Sequence, residues 1–289
     1  MNEHQQFVDW FRHASPYIHA HRGDTFVISF AGEAVESPGF THIVHDAALL
    51  SSLGIRVVLV HGTRPQIERT MERLGMEARY AQNIRITDEE ALEAVKSTCG
   101  QVSADIQALL SMGLADSPLS DARISVSMGN FIMAKPVGVR DGIDFMRTGE
   151  VRRIDGDAIN RRLEDGNIVL VSPLGYSPTG EIFNLALEDV AAQVAIALKS
   201  EKWVSLSEVP CPRDADGNLA SQMTVEEAKK FFATQDDEDT RRQIRNAIRA
   251  CEQGVHRVQL VERDIDGGIL LELFTRDGVG TLVSHNAFE

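Results

Sequence analysis

Cationic side chains are scarce in this sequence: 29 lysines and arginines stand against 43 aspartates and glutamates, a formal charge of −14 at pH 7. Nucleic acids and anionic membranes need a basic surface to neutralise their phosphates, so neither is expected as a principal partner. Cysteine is scarcer still. Cys99, Cys211 and Cys251 are odd in number and far apart, which argues against a disulfide framework or a thiolate metal site and suits a cytoplasmic location. The opening MNEHQQFVDWFRH is polar and interrupted, so it lacks a secretory core, and no apolar run reaches membrane-spanning length. What is present is a 43% apolar content over 289 residues, enough to bury a sizeable core in one large α/β domain or two intimate lobes.

The most informative stretch is IRVVLVHGTRPQI over 55–67, where a buried-strand run empties into a glycine turn and then a helix. Such a turn aims unpaired helix N–H groups and a positive dipole end at an anion, with Gly62 permitting close approach and Pro65 suiting a first helical turn. The earlier TFVISFAGEAV over 25–35 repeats the plan, so two turns can face one ligand.

Around these turns the pattern predicts strands over 25–30 and 55–60, joined by a helix over 40–53 closed by Gly54, a βαβ unit with parallel pairing. A helix over 65–74 ends at Gly75, and Thr87 with Glu90 reads as a capping box. The stretch 123–151, from Arg123, carries β-like runs with Gly129-Asn130 and Asp141-Gly142 turn signals, expected as hairpins. A strand over 167–172, a helix over 187–198 and a strand over 203–206 restore the α/β rhythm. A turn-rich excursion follows from Pro210, then helices over 225–232 and 240–251, a strand over 255–261 and the terminal ILLELFTRDGVGTLV. The acidic run over 235–239 reads as a solvated loop rather than a metal site. Phe7, Trp10, Phe11, Ala14 and Ile18 recur at helical spacing, so an amphipathic helix precedes the first strand, its aromatic face directed at its own domain or another subunit.

AGE after the first strand, then HGTRPQI, NIRITD, FNLALED, SLSEV and FTRDGVGT together resemble the amino acid kinase superfamily over nearly the whole chain. Within it, FRHASPYIHAHRG, GNFI, RRIDGDAI and ELFTRDGVGT most resemble the kinase-like domain of bacterial N-acetylglutamate synthases. The resemblance implies a mostly parallel open sheet sandwiched by helices, carbamate kinase-like, with an N-terminal helix over 1–22 serving oligomerisation. Residues 23–289 would be the kinase-like domain, with lobes at about 23–183 and 184–289. Where acetylglutamate kinases carry a lysine before paired glycines, this chain has Ser29, followed by Phe30, Ala31 and Gly32. Thr63 and Arg64 follow Gly62 where the kinases keep glycines. The organising aspartate falls at Glu188, and a later lysine at Gln243 or Ile244. Phosphoryl transfer depends on positioned cations, so these departures imply no kinase activity. Ser29, Gly32, Gly62, Thr63, Arg85, Asn184 and Glu188 would then be a vestigial substrate and phosphate pocket. Arg85 matches a carboxylate-gripping arginine of the kinases, or else serves a structural ion pair.

The resemblance also implies an effector site for L-arginine, a feedback inhibitor. Glu272 would take the guanidinium and the Asp277-Gly278-Val279-Gly280-Thr281 turn the α-carboxylate, with Lys202 and Tyr17 as further candidates. Taken alone, Glu272 reads as a solvated strand-end acid. No metal or cofactor is expected in this chain, acetyl-CoA being a substrate of an acetyltransferase domain in cis that the full synthase carries. The expected partners are L-arginine and further copies of the chain, in a tetramer or hexamer. The alternatives are an active acetylglutamate kinase, a stand-alone regulatory relative, and a nucleotide-binding protein without chemistry.

Overall fold

Strands that are apolar throughout must be covered on both faces, and the computed structural model, which describes residues 3–112, 124–214 and 216–286, covers them with helices. The chain opens with α1 (Glu3–His21), β1 (Thr25–Phe30), the short α2 (Gly32–Val35), α3 (Phe40–Ser52), β2 (Arg56–His61) and α4 (Arg64–Arg73). The hairpin β3 (Arg79–Ala81) and β4 (Ile84–Ile86) leads into the long α5 (Glu89–Ser111). Then come β5 (Val126–Ser127), β6 (Ile132–Pro136), β7 (Val139–Arg140), β8 (Ile143–Asp144), β9 (Gly149–Ile154) and α6 (Gly156–Glu164). The middle of the chain gives β10 (Ile168–Val171), β11 (Leu174–Tyr176), β12 (Ile182–Asn184), α7 (Leu187–Leu198) and β13 (Lys202–Ser207). The last part gives β14 (Gln222–Thr224), α8 (Val225–Thr234), α9 (Glu238–Glu252), β15 (Arg257–Glu262), α10 (Gly268–Phe274) and β16 (Thr281–Ser284).

Eight strands form the main sheet in the order β14-β16-β15-β13-β1-β2-β10-β5. All its pairings are parallel except β15 with β16. Alternation along β1 divides its side chains between two layers. Phe26, Ile28 and Phe30 join Val44, Leu50, Ile106, Leu273 and Phe274 on one face, where α3, α5 and α10 lie. Val27 joins Val190, Val194, Trp203, Ile244 and Ala247 on the other, under α7 and α9. A smaller sheet, β12-β11-β6-β9, is entered directly from the end of β10 through the short link to β11.

The structure corrects several local readings. The N-cap of α5 is Asp88, whose carboxylate accepts from Ala91 N (2.9 Å); Thr87 is buried and pairs its hydroxyl with Thr148 (2.8 Å) instead of forming a box with Glu90. Asp141 and Gly142 do turn the β7–β8 hairpin, with φ of 49° and 79°. Gly129-Asn130 does not make a hairpin: it carries the chain from β5 in the main sheet to β6 in the smaller one. Arg123 lies outside the described residues. The acidic run opens α9, Asp237 accepting from Thr240 N (2.7 Å), with two more acids favoured by the dipole of the first turn. In the terminal segment, ILLELF is helical, so Glu272 sits on α10 and not at a strand end. α1 buries only its second half: Ala14 is 1% exposed, whereas Phe7, Trp10 and Phe11 are 64%, 47% and 52% exposed. Among the described residues, no helix is long and apolar enough to cross a membrane.

The cap assignment has a direct check in urea denaturation. Asp88→Ala should lower stability by about 1 kcal/mol through loss of the side-chain cap, and Glu90→Ala by much less.

Candidate functional site

The carboxyl ends of parallel strands are where an open α/β sheet presents its loops to a ligand. Here the residues just beyond β1, β2, β10 and β13 border a cleft of about 630 Å³, whose lining includes Ala31, Gly62, Arg85, Asn184, Glu188 and Arg242. The two glycine turns do meet there. Gly62 N–H donates to Phe30 O (2.8 Å), and a β-carbon on Gly62 would lie 3.0 Å from Gly32 N and 3.1 Å from Ala31 Cα. Gly62 is thus required by the approach of one turn to the other.

The space above Gly32 is filled by the chain itself. A β-carbon there would lie 2.3 Å from Gln66 Oε1 and 2.7 Å from Pro65 Cδ, and Gln66 Nε2 donates to Gly32 O (2.7 Å). Ser29 faces away from the cleft: it is 3% exposed, and its Oγ accepts from the buried Trp203 indole Nε1 (2.9 Å). Thr63, at the N-cap position of α4, makes no cap hydrogen bond; its hydroxyl lies 3.4 Å from Cys99 Sγ. Gln243 faces the cleft, its Oε1 accepting from Ser207 Oγ (3.3 Å), while Ile244 is buried in the core. Among the described residues lining the cleft there is no lysine.

The polar residues on the Arg85 side of the cleft are engaged internally. Arg85, 7% exposed, pairs with Glu68 (3.3 Å), stacks over the Tyr80 ring at 4.8 Å, and its guanidinium is drawn down in pKa by burial. Glu68 also accepts from the Tyr80 hydroxyl. Asn184 donates to Thr87 Oγ1 (3.2 Å), in a buried chain that continues to Thr148. Glu188, in the first turn of α7, has its carboxyl pKa raised by burial, against the opposing Arg242 charge.

A second polar cluster lies at the opposite end of β13, where α1 docks on α10. Glu272 Oε2 accepts from Val279 N (2.8 Å) and Gly280 N (2.9 Å). These are the N–H groups expected for a ligand carboxylate; a protein carboxylate holds them instead. Close approach explains both glycines. A β-carbon on Gly278, where φ is 61°, would lie 2.5 Å from Glu272 Oε2, and one on Gly280 would lie 2.2 Å from Leu260 O. Lys202 is 6% exposed and has its pKa lowered to about 8, first by burial and then by Arg257, with Glu201 and Glu272 opposing. No carboxylate among the described residues pairs with it directly.

Tyr17 packs half-buried into the α3–α10 layer from α1. Thr281 is not part of this cluster by its side chain: it pairs with Leu260 in the antiparallel register, so its unpartnered Oγ1 points to the α7–α9 face. His21 was not anticipated. Its Nε2 contacts Leu273 O (3.2 Å), so that nitrogen carries the proton, and its ring lies edge-on to Phe26 at 5.1 Å. Burial, reinforced by Lys202, brings its pKa down to about 4. The sequence signal was there, a histidine in the last turn of a helix entering a buried strand.

The amino acid kinase family profile matches residues 24–262. The chain belongs to the amino acid kinase family. It is 49% identical over 285 residues to the amino-acid acetyltransferase of Azotobacter vinelandii, covering 99% of this chain and 66% of that protein. With the amino-acid acetyltransferase of Ralstonia nicotianae it shares 45% identity over 288 residues, covering 99% and 64%. The chain thus spans about two thirds of the length of these relatives, 66% and 64%. Among solved structures, N-acetylglutamate synthase from Neisseria gonorrhoeae complexed with coenzyme A and L-arginine superposes with a TM-score of 0.89 at 38% identity, over 98% of this chain and 66% of that one. Carbamate kinase from Giardia lamblia bound to AMP-PNP gives 0.66 at 12% identity, over 91% and 99%, which shows a shared fold and no more.

Lys202 carries a stability signature. Its pKa of about 8 in the fold lies below the ordinary 10.5, so the unfolded chain holds the extra proton between those values and this group's contribution to stability rises with pH across that window. Lys202→Met should raise unfolding free energy at pH 7 by roughly 1–3 kcal/mol, and its advantage over the unaltered chain should shrink between pH 8 and 10.5, measured by urea titration of both at each pH.

Proposed function

We propose that this chain is a kinase-like regulatory domain of an N-acetylglutamate synthase: it binds L-arginine as a feedback inhibitor at the α1–α10 seam, assembles into tetramers or hexamers, and phosphorylates nothing. The carrying observation is the seam itself. A buried Lys202 without a direct counter-ion stands near Glu272, whose Oε2 holds the turn while Oε1 is left free of those bonds. A guanidinium suits the free carboxylate oxygen, and an α-carboxylate suits the buried ammonium. The gonococcal synthase complexed with L-arginine supports this ligand.

The silent cleft supports the other half of the reading. With Pro65 and Gln66 over Gly32, Ser29 bound to Trp203, and no lysine in its described lining, the cleft has a filled phosphate turn and lacks the lysine ammonium that serves a transferring phosphoryl group in the kinases. The chemistry of the parent protein, transfer of an acetyl group from acetyl-CoA to glutamate, would belong to the third of the relatives that this chain does not span. The exposed aromatic half of α1 is offered to another copy of the chain in the cytoplasm.

Isothermal calorimetry tests the binding claim. L-arginine should bind saturably, and Glu272→Gln, which keeps an oxygen for the turn N–H groups but loses the charge, should weaken it at least tenfold. A flat titration with the unaltered chain would sink the reading. A coupled assay with ATP and N-acetyl-L-glutamate should show no ADP release, and turnover at a rate typical of kinases, about 1–100 per second, would overturn the silent-cleft assignment.

A further inference from the structure

The GNFI turn over 129–132 takes no part in the cleft or the seam, yet it borders a cavity of its own. This cavity, about 340 Å³, lies beyond the carboxyl ends of β10 and β5, across the 172–174 link from the cleft. Successive residues of that link divide between the two: Ser172 and Leu174 line the cavity, and Pro173 lines the cleft. Gly129 lets the turn close. A β-carbon there would lie 2.9 Å from Cζ of the Phe131 ring, which is anchored in the core at 7% exposure. With residue 131 held inward, Asn130 stands exposed at the cavity rim.

The lining includes the buried Ile132 and Leu170 and the more open Met128 and Leu174, so much of the wall is apolar. Three polar side chains complete it: the Asn130 amide and the hydroxyls of Ser172 and Tyr176. None of the three makes a hydrogen bond to a described residue, and none has its polar atoms sealed away. Burial, followed by Cys99, pushes the Tyr176 phenol above its ordinary pKa of 10, so it keeps its proton and can donate. Among the described residues lining the cavity there is no acid, lysine, arginine or histidine, whereas arginines and acids border the cleft throughout. An ion entering the cavity would shed water and meet no counter-charge, so uncharged ligands are favoured.

We propose that this cavity binds a small uncharged planar amide, a ring whose edge sets a hydrogen-bond donor beside an acceptor, as in a nucleobase or a carboxamide heterocycle. The Asn130 side chain offers the complementary pair, an N–H donor and a carbonyl acceptor. The two hydroxyls each donate or accept, which suits the remaining polar atoms of such an edge, and the apolar wall receives the ring. The volume is at the small end of the range for small-molecule sites, and the position beyond strand carboxyl ends is where open α/β sheets place them. The cavity shares no residue with the α1–α10 seam, so its ligand is tested apart from L-arginine.

Two matched pairs of probes decide the chemistry: nicotinamide against nicotinate, and uracil against orotate, which adds a carboxylate to the same ring. Saturation-transfer NMR and calorimetry on the unaltered chain should show at least one neutral amide binding with a Kd of about 1 mM or tighter, and its anionic counterpart at least ~10-fold more weakly. Which neutral probe binds separates a carboxamide ring from a nucleobase. Asn130→Ala, at an exposed position, should keep the melting temperature and weaken the bound amide ~5- to 10-fold, and Tyr176→Phe should weaken it by a similar factor. Absence of binding by both neutral amides, equal affinity within both pairs, or full affinity retained in Asn130→Ala would each overturn the assignment. The preference for neutral over anionic probes is read on the unaltered chain, so that comparison decides even where a variant fails to fold.

Discussion

Every side chain of β1 is buried, and that constraint governs what the rest of the molecule can do. A strand enclosed on both faces commits each residue to packing, so a polar side chain on it must find its partner inside the core. Ser29 finds the indole of Trp203, one strand away. The bond makes Ser29 part of the layer under α7. A lysine at the same place would need an anion or an open face to satisfy it. The absence of a lysine at this position and the packing of β1 against β13 therefore describe one arrangement.

The two polar regions of the domain differ in how their charges are satisfied. In the cleft, Arg85, Asn184 and Gly32 each have a partner drawn from the chain itself, so the region is self-sufficient. At the seam, Lys202 is buried without a direct counter-ion, which costs stability. β13 joins them. Lys202 begins the strand and Ser207 ends it, about 17 Å away at the usual rise per residue. A strand hydrogen-bonded on both sides, to β1 and β15, ties the two regions to one rigid element of the sheet.

Most of the scaffold was legible because its signals are local: apolar runs for β1, β2 and β10, glycine stops after α3 and α4, and a helix over 187–198 recovered to the residue. The misreadings share a cause. Thr87 looked like a cap because Thr and Glu at that spacing suit one, yet a buried hydroxyl partner in Thr148 outweighed the local preference and Asp88 took the role. Gly129-Asn130 has hairpin chemistry but joins two sheets, which depends on distant pairing. The site residues were legible as types and not as partners. Glu272 and the Gly278–Gly280 turn were both picked out, but their mutual bond is a tertiary fact. Gln66 and His21 carry no family lysine or carboxylate to mark them, and only their surroundings give them weight.

Pro16 sits inside α1, where it cannot donate to the preceding turn and leaves the helix less stiff at that point. Beyond it, Ile18 and Tyr17 are packed and His21 is anchored to α10; before it, the aromatic stripe is open. The helix is therefore a lever with its fulcrum near the proline. Its free arm, from Glu3 to His13, is about 15 Å long at 1.5 Å per residue. A tilt of about 10° at the fulcrum sweeps the tip by about 3 Å, enough to break or make a packed contact at the far end while the anchored half barely shifts. Small adjustments around His21 would in this way be geometrically magnified at whatever surface the arm rests upon.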